Sequence, residues 1–170
     1  MKAESRGLLI VYTGDGKGKT TAALGALFRA WGHGLRVGVV QFIKNEKGRW
    51  GETKAAERLG IPWRTLGDGF VWDPARQEAS RQLALEGWRL AQEMIASDAY
   101  DLVVLDELTY LFQFRWLAVE EALAWLRANK PPTLHLLITG RDAPQALVDA
   151  ADLVTEMQAI KHPYDRGVPA

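Results

Sequence analysis

A chain of 170 residues is long enough for one domain that buries about 70% of its unfolded surface. With 48% apolar and 25% charged residues, zero formal net charge and no cysteine, it excludes a disulfide framework, a thiolate metal centre and a global basic field that would attract nucleic acid. No apolar run approaches the roughly 18 residues of a membrane span and no signal peptide is evident, so the expectation is a cytoplasmic protein, one domain over residues 1–170, with neither membrane nor nucleic acid as partner.

Apolar runs alternate with helical patterns along the chain. Leu8 to Tyr12 predicts a buried strand, and Lys19 to Trp31 a helix ended by Gly32-His33-Gly34. Arg36 to Phe42 predicts a second strand, Lys44 to Gly51 a polar loop, Glu52 to Leu59 a short helix closed by Gly60, and Trp63 to Leu66 a short third strand. After a loop from Gly67, Asp73 is expected to cap a helix that has Pro74 at its first position. Its apolar face runs Ala84, Trp88, Ala91, Met94 and Ile95. Leu102 to Leu105 is a fully apolar strand, and Val119, Ala122, Leu123 and Leu126 stripe another helix. Leu134 to Thr139, Ala143 to Ala150 and Leu153 to Met157 read as strand, short helix and strand. Such alternation implies an α/β fold: a mostly parallel sheet with helices on both faces and ligands at the carboxyl ends of its strands. Seven tryptophans indicate either a tryptophan-rich core or a large flat ligand.

The stretch Val11 to Leu27 carries the first chemical signal. Gly18-Lys19-Thr20 closes a phosphate loop of the G-x-x-x-x-G-K-[ST] type, but Thr13 stands where the first glycine belongs and Gly14 follows it. Gly14, Gly16 and Gly18 allow positive φ and converging backbone N–H groups, and the following helix adds its dipole. Lys19 can neutralise phosphate, the Thr20 hydroxyl can ligate Mg²⁺, and Thr21 can donate a further hydrogen bond.

The second signal is Asp106-Glu107 after the apolar strand, in the manner of a Walker B strand whose carboxylate holds a metal directly or through water. Either acid fits that role. Lys44, at the end of the second strand, either faces phosphate or is solvated, and Arg141 after Thr139-Gly140 either reaches phosphate or sits in a surface turn. Phe70 and Trp72 in Gly67 to Asp73 are either binding groups or packing anchors. Lys161 to Gly167 either closes over a nucleotide or is a terminal tail. His33, His135 and His162 are isolated and read as a cap, a strand residue and a tail residue.

Taken in order, TGDGKGKTTAALG, RVGVVQFIK, WGE, GDGFVWD, YDLVVLDELTY, LLITGR and IKHPYDRGV resemble the phosphate-loop ATP:corrinoid adenosyltransferase family, from Gly7 to Val168. The shortened loop and the GF-x-W motif are its specific elements. The resemblance implies a RecA-like P-loop fold, a homodimer, and ATP with Mg²⁺ or Mn²⁺, the ATP lying reversed in the loop. It implies that Gly14, Asp15, Gly16, Lys17, Gly18, Lys19, Thr20 and Thr21 hold the triphosphate. Thr20 and Glu107, with Asp106 adjacent, match the metal side, and Phe70 and Trp72 match the aromatics on the corrinoid's lower face. Only six residues precede Gly7 and the sequence stops at Ala170, so closure of the site is expected to differ from longer members.

The implied reaction is displacement at carbon: the cobalt of a reduced corrinoid attacks C5′ of ATP and inorganic triphosphate leaves. Lys19, loop amides and the metal stabilise the leaving charge, and the nucleophile has no proton for a base to remove. Phe70 and Trp72 displace the lower axial ligand to ease reduction to Co(I), with the electron from an external reductant such as a reduced flavoprotein. The competing readings are a P-loop nucleoside kinase, which would release ADP, and a RecA-like ATPase, which would need a basic track.

Overall fold

Short runs rich in Val, Ile and Leu, each ended by a polar residue or glycine, are too brief for helices and pack best as strands buried on both faces. The computed structural model describes residues 6–44, 50–69 and 73–161. These form β1 Leu9–Thr13, α1 Lys19–Gly32, β2 Val37–Phe42, α2 Gly51–Leu59, β3 Trp63–Leu66 and α3 Gln77–Ala96. There follow β4 Leu102–Asp106, α4 Thr109–Gln113, α5 Val119–Asn129, β5 His135–Thr139, α6 Gln145–Ala150 and β6 Leu153–Glu156. All six strands are parallel, in the order β3-β2-β4-β5-β1-β6. The sheet is therefore wholly rather than mostly parallel.

Strand alternation sorts the core into two layers. Val40 and Phe42 of β2, Val103 and Leu105 of β4, and Leu136 and Ile138 of β5 face α3 to α6, packing with Trp88, Ile95, Leu111, Leu123 and Leu147. Val37, Val39, Leu102, Val104 and Leu137 face the opposite way, onto Ala23, Leu27 and Ala30 of α1 and Ala56 of α2. The same parity carries past the apolar residues, so Gln41, Asp106 and Thr139 project on the α1 side at the carboxyl edge.

Three local details differ from or extend the sequence reading. The third helix begins at Gln77, after Arg76, and not at Pro74. Asp73 instead organises the turn before it, accepting Ala75 N–H on its carboxylate and Arg76 N–H on its carbonyl, both at 3.0 Å. The helix α4 was not anticipated; it follows Glu107, whose φ of 65° turns the chain sharply out of β4. His33 does end α1, its N–H bonding the Ala30 carbonyl at 3.1 Å. Trp88 and Trp125 meet edge to face at 5.8 Å and belong to the core, whereas Trp31 and Trp50 are partly exposed. Among the described residues no helix is long and apolar enough to cross a membrane.

Leu105 is fully buried at the centre of the sheet, so Leu105→Ala is expected to cost about 2–5 kcal/mol in urea unfolding. Phe28→Ala, at a residue 59% exposed, should stay within about 0.5 kcal/mol of the parent.

Candidate active site

The loop between β1 and α1 is shaped by a neighbouring strand as well as by its own glycines. Gly14 and Gly18 have φ of 94° and 115°, which disfavour any side chain. Gly16 is required for a different reason: the chain beyond β6 passes so close that a Cβ there would lie 2.6 Å from the Gln158 carbonyl oxygen. Met157 N–H donates to the Thr13 carbonyl at 2.8 Å, and Gly16 N–H donates to the Met157 carbonyl at 2.6 Å. The Gly16 amide is thus committed to the protein, and the converging donors are those elsewhere in the loop and in the first turn of α1, which have no intrahelical acceptor. Lys19 lies back across the loop, its Nζ donating to the Gly14 and Gly16 carbonyls at 2.7 Å each.

Asp106 is the centre of the site. It is fully buried at the end of β4, and its carboxylate accepts three hydrogen bonds. The hydroxyls of Thr20 and Thr139 donate to Oδ1 at 2.8 and 2.7 Å, and the Gln41 amide donates to Oδ2 at 2.9 Å. Thr139 Oγ1 also accepts the Glu107 N–H at 2.9 Å. Four elements meet here because β5 lies between β4 and β1 in the sheet, so Thr139 fills the gap between Asp106 and the phosphate loop. A hydroxyl and carboxylates form the oxygen donor set of a hard cation. Among the described residues no three His, Asp or Glu side chains gather into a cage, so a cation beside Thr20 and Asp106 would complete its shell with phosphate oxygens and water.

The charged residues around this centre are coupled. Burial, and then the charge of Asp106, pushes the Glu107 carboxyl up to about 7, against the pull of Lys44 and Lys19. Burial, and then the charge of Arg141, lowers the Lys19 ammonium below its usual range. Arg141, exposed on the turn after β5, is near enough for its charge to act on Lys19. Lys44 is half-buried, its Nζ 3.3 Å from Glu52 and 5.6 Å from the centre of the Trp50 ring. Asp15 is exposed in the loop, and Thr21 lies on the outer side of the first turn of α1.

Sequence reasoning missed Gln41, Thr139 and Met157 as members of this site. The available signal was a polar residue at or next to the end of an otherwise apolar strand, which holds for Thr139 and Gln41. Phe70, Trp72 and the tail from His162 lie outside the described residues. The segment leading to the aromatics is anchored at Asp68, which accepts the Ser80 hydroxyl at 2.8 Å, and at Gly69, whose N–H reaches the Ile43 carbonyl at 2.9 Å.

A strand–glycine loop–helix unit with a buried acid two strands away, in a wholly parallel sheet, defines a RecA-like P-loop protein. The fold is similar to that of the flagellar accessory protein FlaH from Methanocaldococcus jannaschii, with a TM-score of 0.63 over 89% of this chain and 71% of that one. At 11% identity that likeness is one of fold alone. The family model described as ATP:corrinoid adenosyltransferase BtuR/CobO/CobP matches residues 5–170. Corrinoid adenosyltransferase CobA of Salmonella typhimurium is 43% identical, covering 98% of this chain and 84% of that protein. The corrinoid adenosyltransferase of Pseudomonas aeruginosa is 37% identical, covering 98% and 82%. The chain belongs to the ATP:corrinoid adenosyltransferase family, and its activity is transfer of the adenosyl group of ATP to a corrinoid.

Glu107 gives the folded protein a pH dependence in the absence of nucleotide and cation. Its carboxyl is raised from 4.5 to about 7, so below pH 4.5 both folded and unfolded states hold the proton and it contributes nothing. Between these values only the unfolded state ionises, and stability falls as pH rises, the full cost being reached above about 7. Glu107→Gln should flatten this dependence and be the more stable form at pH 8, by at most about 3 kcal/mol, as read from urea midpoints at pH 5 and 8.

Proposed function

We propose that this chain transfers the 5′-deoxyadenosyl group of ATP to the cobalt of cob(I)alamin or cob(I)yrinic acid a,c-diamide, releasing inorganic triphosphate. The observation that carries this reading is the contact of Thr20 with the buried Asp106 beside Lys19, in a chain of this family. A hydroxyl, a carboxylate and a cationic side chain close together at the phosphate loop support a triphosphate site there.

In this mechanism the cobalt electron pair forms the Co–C5′ bond, and the C5′–O bond breaks with its electrons leaving on the triphosphate. Charge grows on the departing oxygen, so the donors that matter are those fixed before the reaction begins. These are the backbone of Gly14, Asp15, Lys17 and Gly18, the Lys19 ammonium, the amides of Thr20 and Thr21, and Arg141. Losing one such donor typically costs about 3 kcal/mol of barrier. Mg²⁺ or Mn²⁺, held by Thr20, Asp106 and Glu107, supplies Lewis-acid neutralisation of the triphosphate when bound. The 2.8 Å Thr20–Asp106 contact supports Asp106 as the nearer carboxylate. Lys44 lies at the rim with Glu52, where its charge partly offsets that of Asp106 at Glu107.

Phe70 and Trp72 act on the corrinoid. By taking the lower axial position they remove a donor ligand, make Co(II) easier to reduce and exclude water. The electron comes from an external reductant, such as a reduced flavoprotein. The chain works as one domain, in a homodimer, in the cytoplasm.

Incubation with ATP, Mg²⁺ and chemically reduced cob(I)alamin should yield adenosylcobalamin and triphosphate in equal amounts. Formation of ADP without a corrinoid product would instead indicate phosphoryl transfer. The Phe70→Ala, Trp72→Ala double variant should slow turnover from Co(II) far more than turnover from pre-reduced Co(I). Equal losses in the two assays would rule out the ligand-displacement role.

A further inference from the structure

Thr13 occupies the position at which the usual phosphate loop has its first glycine, and its side chain has a defined contact. It is the last residue of β1 and shares parity with Val11, so it faces the α5–α6 side, away from Thr20 and Asp106. There its buried hydroxyl accepts the Ala143 N–H at 3.1 Å. Ala143 belongs to the turn that follows β5, in which Gly140 and Asp142 have φ of 146° and 47°. Two further contacts seat that turn. Gln113 Nε2 donates to the Arg141 carbonyl at 2.7 Å. Gly140 lies so close to the buried Thr109 hydroxyl that a Cβ would stand 1.9 Å from it. Because β1 and β5 are direct neighbours, paired at Tyr12 and Thr139, the phosphate loop and the Arg141 turn emerge side by side.

We propose that Thr13 is a positioning residue: its hydroxyl holds the Gly140–Ala143 turn so that the Arg141 guanidinium stands beside Lys19 as a second cation on the triphosphate. This inference rests on the reading of Arg141 as a phosphate ligand. A glycine at position 13 would leave the Ala143 amide without this acceptor and the Arg141–Ala143 end of the turn held by fewer contacts, chiefly that from Gln113. A family that expels triphosphate whole gains from a second fixed cation there, since every charge on the leaving group must be matched before the C5′–O bond breaks. Thr13 thus gives the out-of-register loop a physical function.

The test measures the affinity of the full chain for inorganic triphosphate with Mg²⁺, by calorimetry, in Thr13→Val, Thr13→Ser, Arg141→Ala and the Thr13→Val, Arg141→Ala double variant. Arg141→Ala should weaken binding about tenfold, and Thr13→Val should weaken it by a comparable factor because it lacks the acceptor oxygen. Thr13→Ser should restore it, and Thr13→Val should add nothing in the Arg141→Ala background. The KM for ATP should rise in parallel, with kcat changing less. If Arg141→Ala weakens binding while Thr13→Val does not, or if the two effects add, or if Ser fails to rescue, the coupling is overturned and the Arg141 reading stands. If Arg141→Ala leaves affinity unchanged, the Arg141 reading fails and the inference with it. Should Thr13→Val not fold, Gln113→Ala loosens the same turn from its other side and must show the same lack of additivity with Arg141→Ala.

Discussion

A fully buried carboxylate is tolerated only if its oxygens are bonded, and Asp106 imposes that requirement on three other elements at once. Gln41 of β2, Thr139 of β5 and Thr20 of α1 all supply donors to it. Gln41, Thr139 and Asp106 itself project on the α1 side, toward Thr20, because strand side chains alternate and β2, β4 and β5 are parallel and in register. The strand order then matters: with β5 between β4 and β1, a threonine at the end of β5 joins the acidic strand to the phosphate loop. The same threonine takes the Glu107 N–H, which fixes the left-handed turn that brings the second acid into the site.

The second organising contact is between strand β6 and the phosphate loop. Pairing of β6 with β1 continues past the strand as Met157 to Thr13 and Gly16 to Met157, so the loop is braced from outside. Two of its glycines, Gly14 and Gly16, are needed so that this backbone can pass. Gly18 serves the helix start by its positive φ. Glycine spacing alone suggests one purpose, an anion nest, whereas the packing reveals a second, backbone-to-backbone approach.

Electrostatically the site gathers cations around a pair of adjacent acids. Lys19 and Lys44 act on Glu107, but burial and the like charges of Arg141 on Lys19 and of Asp106 on Glu107 outweigh the attraction between opposite charges, so Lys19 is lowered and Glu107 raised. Such an arrangement suits a polyanion and a hard cation bound together, each matched by protein charge of the opposite sign.

The sequence by itself determined the alternation of strands and helices, the phosphate loop, the acidic strand end and the family resemblance. These rest on local periodicity and on short contiguous motifs, which need no knowledge of what lies beside them. It also placed Asp106, Glu107, Lys19 and Thr20 at one edge, through the rule that parallel strands offer their carboxyl ends to ligands. The start of α3 was misjudged because Asp73-Pro74 closes a separate turn before the helix, a choice that cap preference alone does not distinguish. Only the tertiary structure decided that Gln41 and Thr139 bond Asp106, that Met157 braces the loop, and that the Thr13 hydroxyl meets Ala143. Those pairs are separated by 65, 33 and 130 residues in Gln41–Asp106, Asp106–Thr139 and Thr13–Ala143. Their meeting depends on strand order and parity, and strand order is set by the packing of the whole sheet rather than by any local stretch of chain.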